Sequence, residues 1–395
     1  MNRRGALDAV VVGGGAIGAA LALALGRDGF DVALVEARAP KPWRIGDDVD
    51  LRVVALAPDA RALLDDLGAW RAIESARAGA YRCMRVWDAL APGELRFDAA
   101  DRGEASLGWI VENALIQHAL WQALVDEPRV VLRCPAEVAA VSDAGSLVEV
   151  ALADGTRMSA RAVLAADGAA SPVRAMAGID CADRDYEQRA IVAHVRTERP
   201  HEDTAWQRFL PGGPLAFLPL ADGRSSIVWT LADADAERML ALDDGAFRAE
   251  LGCAFDFRLG GILSSTRRAA FPLRMRSARR YVAGRIALVG DAAHVVHPLA
   301  GQGMNLGLRD VACLRRVLRS ARESGSDIGA VHVLRRYERE RRSENVLAAR
   351  ALDAIERVFG STNPTAVAAR GLALSTVGHL APLREIMMGA ASGRF

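Results

Sequence analysis

A chain of 395 residues, 51% apolar and 25% charged, is long enough for one large or two ordinary domains, and its balance is that of a globular rather than a disordered protein. A net charge of +1 argues against a chain built mainly to bind nucleic acid. The five cysteines, Cys83, Cys134, Cys181, Cys253 and Cys313, lie far apart with no CxxC pair, which points to a reducing compartment and to no thiolate zinc site.

Arg3 and Arg4 precede an apolar run, Ala9 to Gly26. Its glycines stand in a GxGxxG frame and it passes without a cleavage-like break into another apolar strand, so it is not read as a secretory signal. No stretch reaches the roughly 20 uninterrupted apolar residues of a membrane span, so membrane contact is expected to be peripheral. Ala9 to Val12 is predicted as a buried strand, Gly13 to Gly18 as a tight turn, Ala19 to Arg27 as a helix, and Asp31 to Val35 as a second strand ending in Glu36. This is the full context of a dinucleotide fingerprint. Gly13, Gly15 and Gly18 allow the turn and a close backbone approach, the helix start offers N–H groups to a pyrophosphate, and Glu36 accepts hydrogen bonds from a ribose. An acidic residue there favours an unphosphorylated ribose, as in FAD or NAD.

Leu51 to Leu67 has helical spacing and ends at Gly68, with Arg52 near its start, either solvated or facing a ligand. Cys83 to Asp88 and Glu94 to Asp98 form a hairpin turning at Pro92-Gly93. Trp109 to Leu124 becomes helical from about Asn113, which places Asn113 and Gln117 on one face; by themselves these are an N-cap and a solvated glutamine. Strands at Val130 to Leu132, Glu137 to Ser142 and Leu147 to Leu152 lead to Ala162 to Ala166, which delivers Asp167-Gly168 into a helix start at Pro172. From Tyr186 to Arg276 the texture is that of a sheet: Ala190 to Arg196, Thr204 to Leu210, Leu215 to Leu220, Ser225 to Thr230 and Arg267 to Met275, interrupted by one helical piece at Asp243 to Leu251.

Ile286 to Val289 repeats the strand-end construction at Gly290-Asp291. His294, His297 and Pro298 follow, and Gly301-Gln302-Gly303 opens a helical stretch, Met304 to Leu318. Asp291, His294 and His297 are the residue types of a two-histidine, one-carboxylate iron site. That reading is set aside: all three ligands would come from one tight segment, and the glycine-rich helix start would have no use. Asp310 to Ala321 and Val331 to Phe359 are arginine-rich helices whose charges read as solvated faces. The apolar tail, Thr365 to Met388, packs on the core or rests on a membrane or a partner.

GxGxxG with Glu36, DGAASPVR at Asp167 to Arg174 and GDAAHVVHPLAGQGMNLGLRD at Gly290 to Asp310 resemble the three flavin motifs of the FAD-dependent aromatic hydroxylases, the p-hydroxybenzoate hydroxylase-like family. HPLAGQGMNLGLRD, with DLRVVAL, IVENALIQHALWQAL, FLPGGPLAFLPL and LRRYERERRSEN, is similar to the ubiquinone-biosynthesis branch. The resemblance implies an α/β fold: a Rossmann-like, glutathione reductase-type FAD-binding domain (1–78, 104–182 and 278–360), an inserted β-sheet substrate domain (79–103 and 183–277), C-terminal helices and an apolar helical tail (361–395). It implies that Arg52, Asn113 and Gln117 lie beside the flavin or its pyrophosphate, and that Asp291 bonds the ribityl chain. Pro298 and the backbone of Gly301, Gln302, Gly303, Met304 and Asn305 match the wall beside the isoalloxazine. Asp167, with Gly168, matches a residue that in related enzymes contacts both flavin and nicotinamide cofactor. His297, Pro298 and Gly301 are flavin-proximal candidates, no general acid or base is identified, and no metal is expected.

The chemistry implied is hydroxylation of an electron-rich ring by O2 through a flavin C4a-hydroperoxide. The helix beginning at Gly301 would stabilise negative charge on the reduced flavin. With a single GxGxxG, NAD(P)H would be a transient donor visiting the surface. The branch acts on polyprenylated phenols and benzoquinols, and VEN-x3-Q-x-ALWQAL looks most like the member acting on 2-polyprenyl-3-methyl-6-methoxy-1,4-benzoquinol. Peripheral contact with the inner membrane from a bacterial-type cytoplasm, or a biosynthetic protein assembly, is expected to accompany such a substrate. Two alternatives are a soluble catabolic phenol hydroxylase and a non-catalytic flavin-binding assembly subunit.

Overall fold

The most apolar runs of the chain pair with one another. In the computed structural model the strands Val130–Arg133, Val32–Val35, Leu7–Val12, Arg157–Ala165 and Ile286–Leu288 lie side by side in that order, every pair parallel. The register sets Val11 against Leu34 on one side and Leu164 on the other. Parallel strands are covered on both faces, which is why they read as continuous rather than alternating apolar runs. The helices Ala16–Arg27, Asn113–Val125 and Gln302–Glu323 supply cover, the first packing on both others. Arg157–Ala165 also joins an antiparallel meander with Leu147–Leu152 and Val138–Ala144. The structure describes residues 5–296, 302–360, 363–365, 367, 368, 370 and 371, without the side chains of Leu352 and Glu356. The features expected at His297, Pro298 and Gly301, and nearly all of the tail at 361–395, lie outside the described residues.

A second sheet of nine strands has its own core, in which Phe217 stacks on Phe255 at 3.7 Å. The paired strands Cys181–Thr197 and Ala269–Ala278 lead into and out of it, and the hairpin Cys83–Asp88/Glu94–Asp98 joins it by pairing parallel to Thr204–Leu210. Two helices cover this sheet where one was expected. Asp244–Ala254 answers the predicted piece; Asp233–Ala241 was missed because it buries only Ala236 and Met239 on an otherwise charged segment, too short a period to stand out.

A second correction concerns Leu51 to Leu67, expected as one helix. Val53–Leu56 is a strand, paired antiparallel with Gly108–Glu112, and the helix spans Pro58–Asp66 with Pro58 in its first turn. The Val-Val pair suits a pleated surface whose partner strand lies far along the chain, a fact no local spacing displays. Arg52 therefore stands at a strand start, its carbonyl accepting from the Asn113 N–H at 2.9 Å.

The 30-residue helix Val331–Gly360 reaches from the first sheet to the second. Tyr337 on it donates to the Leu288 carbonyl at 2.8 Å, and Phe359 near its end stacks on Phe209 at 3.9 Å. Beyond it Arg370 is buried against Asp88, Nε to Oδ2 2.9 Å, so the first described part of the tail packs on the second sheet. Among the described residues no helix is long and apolar enough to cross a membrane.

Candidate active site

The glycine turn divides into positions that close it and a position that opens it. Gly13 has φ +100°, and a Cβ there would lie 2.4 Å from the Ala166 carbonyl oxygen; at Gly18 a Cβ would lie 1.8 Å from that of Gly13. Around Gly15, the N-cap of Ala16–Arg27, there is nothing within 4 Å and no side chain caps the helix, so its first N–H groups face open space. Such a helix start is an anion site. The Gly14 N–H donates to Glu36 Oε2 at 2.5 Å, and Glu36 Oε1 accepts from the Arg38 N–H at 2.9 Å.

The Gly14 carbonyl accepts two bonds, from Gln117 Nε2 at 2.8 Å and Trp121 Nε1 at 2.7 Å. Gln117 thus stands behind the turn and braces it. Trp121 was missed, although its place four residues after Gln117 on a helix was a usable signal. Trp121→Phe is expected to cost about 1 kcal/mol because Gln117 remains, whereas Gln117→Leu with Trp121→Phe leaves the carbonyl unpartnered and costs about 3 kcal/mol. Denaturant titration of both variants and of Gln117→Leu alone checks this, and strictly additive effects would count against a shared brace.

Both strand-end carboxylates are held up from the ordinary carboxylate range by burial. Asp167 Oδ2 accepts from the Val173 N–H at 3.0 Å; burial raises its pKa, and the Ser171 and Val173 bonds only partly oppose this. Its Oδ1 is buried and accepts no hydrogen bond among the described residues. Asp291 opens onto the cavity but has protein on its other sides; burial raises it, with His294 and Arg52 pulling the other way. Arg174, itself buried, donates to Ala169 O at 2.8 Å and Ala292 O at 2.9 Å, clamping the two strand-end loops together.

Beneath Asp291 lies a buried polar knot. Asp310 is fully buried and accepts from Gly290 N (3.0 Å), Arg341 Nε (2.7 Å) and Asn345 Nδ2 (3.2 Å), with His294 Nε2 at 2.6 Å. Burial alone would raise this carboxyl, but His294 and Arg341 outweigh it and its pKa falls to about 2. His294 is thereby committed to Asp310; among the described residues no group of three candidate ligands is placed to hold a metal.

A cavity of about 540 Å³ runs from this floor to the second sheet. Gly15, Arg52, Asn113, Gly168 and Asp291 line one end, joined by Gln302, Gly303, Met304 and Asn305 from the start of Gln302–Glu323. Gly303 is open, with nothing within 4 Å of a Cβ, whereas the Asn305 side chain is spent on Ala55 O (2.8 Å) and Ala57 N (2.9 Å). The other end is mostly apolar, including Val192, Ala216, Val228 and Phe271, with Gln207, Thr230 and Arg274 among its polar exceptions. Gly13, Gly18, Glu36, Gln117 and Asp167 are not among the residues lining this cavity. An open helix N-terminus, open backbone at Gly15, Gly168 and Gly303, an unpartnered Asp167 oxygen and a cavity-facing Asp291 fit an elongated dinucleotide whose far end meets an apolar pocket.

Fold and site together define a dinucleotide-binding protein. A family model described as FAD binding domain matches residues 6–351. The chain is 38% identical to the 3-demethoxyubiquinol 3-hydroxylase of Escherichia coli (strain K12), over 98% of this chain and 98% of that protein. It is also 38% identical to the ubiquinone hydroxylase UbiL of Rhodospirillum rubrum, over 98% of this chain and 89% of that protein. In fold it matches p-nitrophenol 4-monooxygenase PnpA from Pseudomonas putida DLL-E4, with TM-score 0.78 and 20% identity over 98% of each chain. The chain belongs to the FAD-binding domain family, and it is a flavin-dependent monooxygenase with FAD as its cofactor.

Proposed function

We propose that this enzyme hydroxylates the ring of a polyprenylated phenol or benzoquinol in ubiquinone biosynthesis, at the inner membrane's cytoplasmic face or within an assembly of biosynthetic proteins. The observation that carries the reading is the continuous cavity that starts at Gly15 and Asp291 and ends on an apolar sheet face; the names of the two bacterial relatives supply the substrate class. In this reading residues 1–78, 104–182 and 278–360 form the FAD-binding domain and 79–103 with 183–277 the substrate domain. The Ala16–Arg27 helix start binds the pyrophosphate and Glu36 the adenosine ribose. Asp291 orients the ribityl chain, and Arg52 and Asn113 hold the flavin edge. The start of Gln302–Glu323 stabilises negative charge at the redox ring. Val192, Ala216, Val228 and Phe271 hold the aromatic ring and exclude water, which strengthens every charge interaction near it.

Bound FAD, reduced by NAD(P)H, supplies the activation of O2; one oxygen atom enters the substrate and the other leaves as water. Purified enzyme is expected to couple NAD(P)H oxidation to formation of a hydroxylated prenyl phenol, and deletion of its gene to accumulate a quinone precursor lacking one ring hydroxyl, both read by mass spectrometry. No accumulated precursor, with turnover of small soluble phenols instead, would falsify the ubiquinone assignment in favour of a catabolic hydroxylase. Flavin binding without any substrate-stimulated oxidation would make the chain an assembly subunit.

A further inference from the structure

Residues 37–52 lead from the end of Val32–Val35 to the start of Val53–Leu56 and end at Arg52 in the cavity. Residues 44–48 are exposed, yet the stretch that follows is gripped from both sides. From the FAD-binding side, Arg77 donates to the Asp47 carbonyl at 2.8 Å, and buried Glu112 accepts the Asp50 N–H at 2.7 Å. From the other sheet, Arg224 bonds Asp48 Oδ1 at 2.6 Å while also holding Asp222 Oδ2 at 2.8 Å. His194, only 1% exposed, places Nε2 at 3.1 Å from the Asp50 carbonyl. Between these anchors Val49 is buried in a small cluster with Ile110 and Leu220. The Asp50 carboxylate then accepts the Arg52 N–H at 2.9 Å, so whatever fixes Asp50 fixes Arg52.

The placement of His194 gives this grip a direction. Ala190 and Val192 line the cavity, and His194 follows them at the two-residue period of one strand face. Arg224 lies in the turn joining Gly213–Pro219 to Ser225–Ala232, two strands that give Ala216 and Val228 to the cavity. Burial lowers the His194 pKa, which favours a neutral imidazole able to donate from Nε2. The surface that would meet the ring of a substrate is therefore continuous with the clasp on the loop that carries Arg52.

We propose that His194 and Arg224 are positioning residues for Arg52, clasping residues 48–50 so that the substrate sheet sets where this arginine stands at the flavin end of the cavity. The reading of Arg52 as a flavin contact is that of the proposed function; the clasp itself is read separately. Arg44 is exposed and followed by Ile45, 63% exposed, so trypsin reports on the loop directly. In holoenzyme, His194→Ala and Arg224→Met are expected to speed cleavage after Arg44 roughly tenfold, as local opening predicts. They should also weaken FAD binding roughly tenfold by flavin fluorescence, with Arg224→Lys recovering most of both. Arg238→Met, which breaks the distant surface pair with Glu250, is expected to change neither. Unchanged cleavage in both clasp variants, or a rise matched by Arg238→Met, overturns the proposal, and Arg224→Met guards against a His194→Ala that merely unfolds. Faster cleavage in the clasp variants together with full FAD affinity in Arg52→Met upholds the clasp and overturns the flavin reading of Arg52.

Discussion

Gly15→Ala is expected to fold and bind FAD on the order of a hundredfold more weakly, while Gly18→Ala is expected not to reach a stable native state. The two glycines are three residues apart in one motif but serve opposite needs. A methyl at position 18 would sit 1.8 Å from the Gly13 carbonyl oxygen and 3.2 Å from the Ala166 side chain. The Gly13 carbonyl belongs to the tight turn itself, whose backbone the strand end and helix start hold in place, so the cost is about 4 kcal/mol or more. Gly13→Ala adds the strain of a residue forced to φ +100°. At position 15 a methyl meets nothing within 4 Å, and the backbone is extended (φ −63°, ψ 176°), so the apoprotein loses at most about 1 kcal/mol at this N-cap. The added methyl instead occupies the space in front of the helix N–H groups, where a pyrophosphate must come within hydrogen-bond distance. An affinity loss on the order of a hundredfold, about 2.7 kcal/mol, follows. Thermal unfolding of the apoproteins and FAD titration separate the two effects; a Gly15→Ala protein with native FAD affinity would show that the cofactor does not use this helix start.

Asp310→Asn is expected to be strongly destabilising although it leaves the cavity lining untouched. Surface ion pairs such as Arg238–Glu250 contribute about 0–1 kcal/mol, because water screens them. Asp310 and Arg341 are both buried, and removing one charge strands the other, at a cost of about 3–5 kcal/mol. The same carboxylate ties Gly290 and His294 to two helices, so its loss should also loosen the loop bearing Asp291. The pH dependence follows from the lowered pKa. Asp310 is ionised at about 2 in the folded protein against 3.8 unfolded, so its contribution is complete above about pH 4 and disappears as the pH falls through 2. Denaturant titrations between pH 5 and 2.5 should show the parent losing stability in this window while Asp310→Asn is flatter. Parallel curves for the two proteins would mean that the carboxylate is not what the acid limb reports.

The site was legible in the sequence to the extent that its parts are local. GxGxxG with its flanking strands and Glu36, the Asp167-Gly168 and Gly290-Asp291 strand ends, and the Cys83–Asp98 hairpin are each set by residues within one short stretch, where turn geometry and apolar periodicity suffice. Arg52 was found as a candidate but placed on a helix, because the strand that claims Val53–Leu56 is Gly108–Glu112, which spacing within residues 51–67 cannot reveal. Gln117, expected beside the flavin or its pyrophosphate, donates to the Gly14 carbonyl alongside Trp121, a contact that no local spacing displays. Asn305 was named for its backbone, and its side chain turns out to fasten the Val53–Leu56 strand and the residue after it.

Legible in the sequence alone were the α/β class, the glycine turn between strand and helix, the acidic Glu36 at the next strand end and two strand-end aspartates, since each rests on motifs and neighbouring residues. Tertiary structure alone decided which groups brace that turn, how Asp310 gathers four donors beneath Asp291, and which side chains clasp the approach to Arg52. These depend on contacts across 103 residues for Gln117 to Gly14, 144 for His194 to Asp50 and 248 for Ala57 to Asn305. Over such separations the partner is chosen by how the packed sheets and helices exclude water and pair buried polar groups, and a local pattern carries no trace of that choice.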